Sequence, residues 1–288
     1  MSAKPPVVIV TGASRGAGRG IAIALGSHGA TVYVTGRSQA AGDHALPGTI
    51  YETAEAVTAA GGKGVAVRCD HGDDAQVQAL FDQVEAEQGR LDILVNNAAA
   101  IQDELTDPGE FWEKPLRMAD LITVGVRSGY TASWHAARIM AKQNSGLIVF
   151  TSASGAAHYS LGAAYGAHKA GMDKMAFDMA VDFRHAGKAV NALSIWMGAL
   201  LTDRLKGIIA SNPEKYGYLE GSCETPEFTG HVIWQLFNDP DLATMNGQTV
   251  VGAEIARKYG LTDNGRVPPT SKELHGAVPL TYHPSVIR

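Results

Sequence analysis

Short aliphatic, often β-branched runs recur along this chain, and each is separated from the next by a longer stretch with helical spacing. Val7 to Val10, Thr31 to Thr35, Gly64 to Arg68, Leu91 to Val95, Gly146 to Phe150, Val190 to Trp196 and Gln248 to Val251 predict strands. Ile21 to Leu25, Glu52 to Ala60, Asp74 to Gln88, a segment ending near Met140 and Lys169 to Arg184 predict helices, and Val77, Leu80, Phe81 and Val84 share one helical face. Thr225 predicts an N-cap, with Pro226 at the first helical position. Strands that are apolar throughout are those covered on both faces. The expectation is therefore an α/β fold, a doubly wound parallel sheet with helices on both sides.

No Pro/Ser-rich linker, charge block or internal repeat divides the 288 residues. This predicts a single domain over 1–288 with a core of about 5–252. Ser38 to Thr49 and the tail 253–288 are additions to the minimal sheet. Gly198 to Glu224 is expected to be a mobile loop beside the substrate, because ligands of open α/β sheets bind beyond the carboxyl ends of the strands. A net charge of −5 argues against a nucleic-acid partner. Cys69 and Cys223, far apart and without metal-ligand spacing, fit a reduced compartment. The first strand leaves no room for a leader, and no apolar run reaches the roughly 20 residues a bilayer needs. A cytoplasmic protein with no membrane span is expected.

The turn Thr11-Gly12-Ala13-Ser14-Arg15-Gly16-Ala17-Gly18 follows the first strand and opens a helix. Glycines permit the backbone angles of a tight turn and the close approach of a pyrophosphate, and the helix N-terminus offers N–H groups to it. Gly12, Ser14, Arg15, Gly16, Ala17 and Gly18 are thus candidate dinucleotide-binding residues. No acidic residue ends the second strand to take a ribose 2′-hydroxyl; Arg37 stands there instead. Two guanidiniums, Arg15 and Arg37, suit a 2′-phosphate, so NADP(H) is expected over NAD(H). Asp70 and His71 at the end of strand three, and Asn97 and Ala98 after strand four, are expected to line the same cavity.

Tyr165 lies four residues before Lys169 and thirteen after Ser152. Tyr165 and Lys169 therefore share a helix face. A free phenol, with a pKa of about 10, is a poor base at neutral pH, and a nearby ammonium favours its ionised form. Tyr165 is expected to move the proton, Lys169 to adjust Tyr165 and bond ribose hydroxyls, and Ser152 to hold a carbonyl oxygen. His158, His168 and Tyr159 read as pocket wall or surface, Trp112, Trp134 and Trp196 as core or wall, and no metal site is expected.

These residues together resemble the short-chain dehydrogenase/reductase family over about residues 5–252. The resemblance rests on the Gly-rich turn, Asn96-Asn97-Ala98, Ser152 and Tyr165-x-x-x-Lys169. It implies a seven-stranded Rossmann-like parallel sheet, a nicotinamide cofactor, pro-S hydride transfer and a homodimer or homotetramer. Thr35-Gly36-Arg37, Phe111-Trp112-Glu113, Val124-Gly125, Gly146-Leu147-Ile148-Val149 and Ala256-Arg257-Lys258-Tyr259-Gly260-Leu261 are similar to a subgroup associated with NADPH-dependent reduction of ketones. Thr202 falls where the family has a cofactor-contacting threonine.

The chain departs from the family pattern in three places. Val124-Gly125-Val126 replaces a segment that usually carries an asparagine supporting a proton-relay water. Met197-Gly198 replaces Pro-Gly after strand six, and Ala99 replaces a glycine. The expected function is an NADP(H)-dependent carbonyl reductase or alcohol dehydrogenase acting on a small, hydrophobic carbonyl or alcohol. The alternative is a non-catalytic redox sensor that binds the nicotinamide nucleotide without turnover.

Overall fold

The computed structural model describes residues 4–287. Seven strands form one all-parallel sheet: β1 (Val7–Val10), β2 (Thr31–Gly36), β3 (Lys63–Arg68), β4 (Ile93–Asn96), β5 (Gly146–Ser152), β6 (Val190–Trp196) and β7 (Thr249–Val251). Their order is β3-β2-β1-β4-β5-β6-β7. The chain runs outward from β1 to β3, then returns to β4 on the other side of β1. That reversal opens a crevice at the carboxyl ends of β1 and β4.

Side chains alternate across a strand, and here both faces are apolar. Val8, Val10, Val32 and Val95 enter one core with Ile21, Leu25, Phe228 and Val232. Val7, Ile9, Leu94 and Phe150 enter the other with Phe81, Val84, Ala136 and Ala176. The first layer is made by α1 (Gly16–Ser27), α2 (Ile50–Ala59) and a later helix, Phe228–Asn238. The second is made by α3 (Asp74–Gln88), α4 (Ser128–Gln143) and α5 (Ala163–His185). Val77, Leu80, Phe81 and Val84 are buried on α3, as its spacing requires.

Four local expectations are corrected. The helix expected to start at Lys169 begins instead at Ala163, and it carries Tyr165 and Lys169 together as their spacing predicts. The segment 198–224 contains two helices, α6 (Asp203–Ser211) and α7 (Pro213–Tyr216). Thr225 is not an N-cap: α8 (Phe228–Asn238) begins after Glu227. The Thr225 hydroxyl and N–H instead donate to the two carboxylate oxygens of Asp263, at 2.7 and 2.6 Å. Trp112 and Trp134 are neither core nor enclosed wall, being 69% and 47% exposed, whereas Trp196 is buried. In the tail, α9 (Gly252–Tyr259) and α10 (Ser271–His275) follow β7. Cys69 and Cys223 are buried free thiols. No helix of the described residues is long and apolar enough to cross a membrane.

Candidate active site

Gly12 and Gly16 have φ of 65° and 55°, the left-handed region in which glycine carries no Cβ penalty. A Cβ on Gly12 would stand 2.8 Å from Ala98 Cα, and one on Gly18 would stand 2.4 Å from the Gly12 carbonyl oxygen. The turn is braced from β4. Asn97 Nδ2 donates to the carbonyls of Thr11 and Gly12, at 2.9 and 3.1 Å. The Thr11 hydroxyl accepts from the N–H groups of Asn97 and Ala98, each at 2.9 Å. Helix α1 has no side-chain cap and no acid in its first turn, which suits an anion at its N-terminus.

A cavity of about 710 Å³ lies over this turn. Its wall includes Gly12, Ser14, Arg15, Gly16, Ala17, Gly18, Arg37, Asp70, His71, Asn97, Ala98 and Thr202. The insertion after β2 adds Asp43, His44, Leu46 and Pro47, and α6 adds Arg204. Sequence reasoning missed the four from the insertion, because nothing local shows that it folds back over the crevice, whereas Arg204 lies in the 198–224 segment already expected beside the site. Arg15 is held in place: Nε donates to Pro47 O at 3.2 Å, and Nη2 to Ser38 Oγ at 2.7 Å and Gly48 O at 2.8 Å. Burial, then Arg37 and Arg204, lower its affinity for its proton. Arg37 is largely exposed and lies 3.8 Å from Asp70 Oδ2. This concentration of positive charge favours an anionic ligand.

His71 lines the cavity, but its ring is buried and Nε2 pairs with Thr35 Oγ1 at 2.8 Å. Burial pushes its pKa down to about 4, so the ring is neutral. Thr202 Oγ1 caps α6 by accepting from Leu205 N–H at 3.3 Å. A Cβ on Gly16 would lie 3.6 Å from Thr202 Cγ2, so α6 begins directly across the turn.

Ser152, Tyr165 and Lys169 form a second group where β5 meets α5. Lys169 is 7% exposed, and its Nζ donates to Thr151 O at 3.0 Å and lies 5.5 Å from the Tyr165 ring centre. Tyr165 packs on Leu105, Met118 and Leu121 from the segment after β4. Burial pushes the phenol up to about 12 and the ammonium down to about 8. In the chain alone, burial is what raises the phenol. Ser152 is fully buried, and its hydroxyl donates to Lys169 O at 3.2 Å.

Asp173, one turn beyond Lys169, escaped sequence reasoning because an isolated acid in a helix looks solvated. It is 3% exposed and accepts from Ser194 Oγ at 2.5 Å and Trp196 Nε1 at 2.7 Å. It thereby ties α5 to β6. Asp173→Ala would leave buried donors unpaired, and urea melts should show a loss of about 3 kcal/mol. A loss below about 0.5 kcal/mol would contradict this bracing role.

Glu224 is also buried, accepts from the Gly198 N–H and has an unpartnered Oε2. Burial pushes its pKa up to about 7. Between the ordinary carboxylate value and 7 the native state binds more protons than the unfolded chain, so this group costs stability as pH rises through that window. Glu224→Gln should match the wild type near pH 5 and exceed it by about 2 kcal/mol at pH 8. A gap that does not grow with pH would contradict the assignment.

Among the described residues no three His, Cys, Asp or Glu side chains converge as a metal site. His158 pairs with Ser154 Oγ at 3.1 Å, and Tyr159 is 82% exposed.

A nucleotide-sized crevice bounded by a Gly-rich turn, beside a Tyr–Lys helix, defines a dinucleotide-binding α/β oxidoreductase. The short chain dehydrogenase family model matches residues 6–212. The chain is 39% identical to human dehydrogenase/reductase SDR family member 1 over 268 residues, 89% of this chain and 82% of that protein. It is 31% identical to hydroxysteroid dehydrogenase-like protein 2 of Danio rerio, covering 89% of this chain and 59% of the relative. Among solved structures, a short chain dehydrogenase from Mycobacterium thermoresistibile superposes with a TM-score of 0.74 at 25% identity, covering 92% of this chain and 94% of the other. A Serratia marcescens short-chain dehydrogenase/reductase mutant gives 0.67 at 28%, covering 85% and 95%. The chain belongs to the short-chain dehydrogenase/reductase family.

Proposed function

We propose that this protein is an NADP(H)-dependent oxidoreductase that interconverts a carbonyl and a secondary alcohol, with a hydrophobic ketone as its substrate class. The observation that carries the reading is the cavity wall at the end of β2, where Arg15 and Arg37 stand and no residue of β2 supplies a carboxylate. The glycine cradle fits a pyrophosphate, since a Cβ on Gly12 or Gly18 would fill it. When bound, the nicotinamide supplies the hydride and, oxidised, a positive charge.

The chain's own residues do the rest. Gly12, Ser14, Gly16, Ala17 and Gly18 seat the phosphates, while Arg15 and Arg37 take the 2′-phosphate. Asp70, His71, Asn97, Ala98 and Thr202 shape the cavity along the dinucleotide. Tyr165 gives its proton to the carbonyl oxygen in reduction and takes it back in oxidation. Lys169 holds positive charge beside the phenol and bonds the ribose, and Ser152 turns its hydroxyl to the substrate oxygen. The segment 198–224 closes the substrate side, and 1–288 acts as one domain. Exposed Tyr130 and Trp134, one turn apart on α4, support association into a homo-oligomer. A cytoplasmic location accords with the free thiols. Shared family and an assembled Tyr–Lys pair do not favour the sensor alternative.

Fluorescence titration with NADPH and NADH tests the reading. NADPH should bind at least about tenfold tighter, and Arg37→Ala should erase most of that preference by costing about 1.5–3 kcal/mol towards NADPH alone. Preference for NADH would overturn the phosphate clamp. Reduction should also slow as pH rises through about 8, where Lys169 loses its charge; a rate that climbs across that range would contradict the role of Lys169.

A further inference from the structure

The segment 198–224 has little of its own to hold it over the crevice. Helix α6 buries only Ile209, and α7 buries no residue. Arg204 reaches Asp103 at 2.6 Å, but that carboxylate is 84% exposed, and an exposed pair holds a helix weakly. The position of the segment is therefore set at its two ends.

Those ends are joined to each other. The Glu224 N–H donates to Ala199 O at 2.7 Å and the Leu201 N–H to Glu224 O at 2.9 Å, a parallel bridge between Leu200 and Glu224. The buried Glu224 carboxylate accepts from the Gly198 N–H, and a Cβ on Gly198 would stand 2.7 Å from Glu224 Oε1. Thr202 follows at once, capping α6 across from Gly16.

The joined ends are gripped from outside by the tail. Asp263-Asn264-Gly265-Arg266 is a tight hairpin turn with Asn264 and Gly265 at φ of 51° and 78°. The Asp263 N–H donates to Arg266 O at 2.7 Å, and the Arg266 N–H returns to Asp263 O at 3.2 Å. Asp263 is buried and takes both donors of Thr225. Arg266 donates through Nη1 to Gly221 O and through Nη2 to Cys223 O. The tail thus holds Gly221, Cys223 and Thr225, on both sides of Glu224. A buried carboxylate without donors is costly, so Asp263 favours the arrangement that keeps Thr225 against it.

We propose that Asp263, assisted by Arg266, is a positioning residue for the substrate side of the site. The tail turn holds 221–225, Glu224 pairs that stretch with 198–201, and Thr202 and α6 are thereby placed over the crevice. This deepens the hydride-transfer reading and rests on it. Releasing the clamp leaves in the chain every group that touches cofactor or substrate, but populates an open segment. If the closed fraction falls about tenfold, the apparent KM rises by the same factor while kcat at saturation is kept.

Asp263→Ala should raise the ketone KM about tenfold, with kcat and NADPH affinity each within about threefold of the wild type. Trypsin reads the same opening without turnover, because Lys206 and Lys215 lie in the segment. Cleavage at these two should speed up about tenfold, while Lys142 on α4 and Lys174 on α5 stay protected. Thr225→Ser keeps both donors and should restore the wild-type pattern. Arg266→Ala, at an exposed position, should change KM and cleavage in the same direction, and serves if Asp263→Ala does not fold. Unchanged KM and unchanged cleavage at Lys206 and Lys215 in a folded variant would overturn the proposal. Cleavage rising equally at Lys142 and Lys174 would also overturn it, by making Asp263 a general brace of the fold. Absence of turnover in the wild type would sink the enzymatic reading instead, and the tryptic pattern would still decide the clamp.

Discussion

Tyr165→Phe is expected to lower carbonyl reduction about a thousandfold while NADPH binding changes less than about twofold. The substitution removes one oxygen and leaves the ring, which packs on Leu105, Met118 and Leu121, in place. Stability should therefore hold, because the packing of the ring is kept. A positioned general acid typically contributes 10²–10⁴-fold, and the high proton affinity of this phenol keeps it protonated for reduction at neutral pH. Single-turnover oxidation of NADPH at saturating ketone measures the effect directly. Loss of both binding and rate would mean a structural role; retention of both would remove Tyr165 from the chemistry.

Gly18→Ala should abolish nucleotide binding within the measurable range, at least about a hundredfold, or some 3 kcal/mol. The added Cβ would meet the Gly12 carbonyl oxygen at 2.4 Å and Asn97 Nδ2 at 2.5 Å. One of these is backbone, and the other is the brace that holds Thr11 and Gly12, so neither can yield without moving the turn. Circular dichroism should still report a folded sheet, since the rest of the core is distant. By contrast, Gly29→Ala, at a helix end where a Cβ meets nothing within 4 Å, should leave binding intact and show only the modest strain of its φ of 87°. Equal effects of the two substitutions on binding would contradict the steric account.

Much of this architecture was legible because its signals are local. Strands buried on both faces read as unbroken apolar runs, and α3 showed its buried stripe residue by residue. The turn at Gly12–Gly18 and the spacing of Tyr165 and Lys169 were equally visible. What was hidden depends on partners distant in sequence. Thr225-Pro226 has the composition of a helix start, but its polar groups serve Asp263 instead. The start of α5 was obscured by Gly162 and Gly166, weak helix formers that tertiary contacts override. His168 looked like wall or surface until the facing Gly125 placed it in the interior, and the inward turn of Ser152 towards Lys169 O could not be read from a motif.

The most direct test of hydride transfer is the loss of reduced-nicotinamide absorbance when the purified protein is given NADPH and a panel of aromatic and alicyclic ketones. The account predicts turnover of at least one hydrophobic ketone, faster with NADPH than with NADH and abolished by Tyr165→Phe. Tight NADPH binding with no consumption on any ketone, in either direction, would contradict it and return the nucleotide sensor as the better reading.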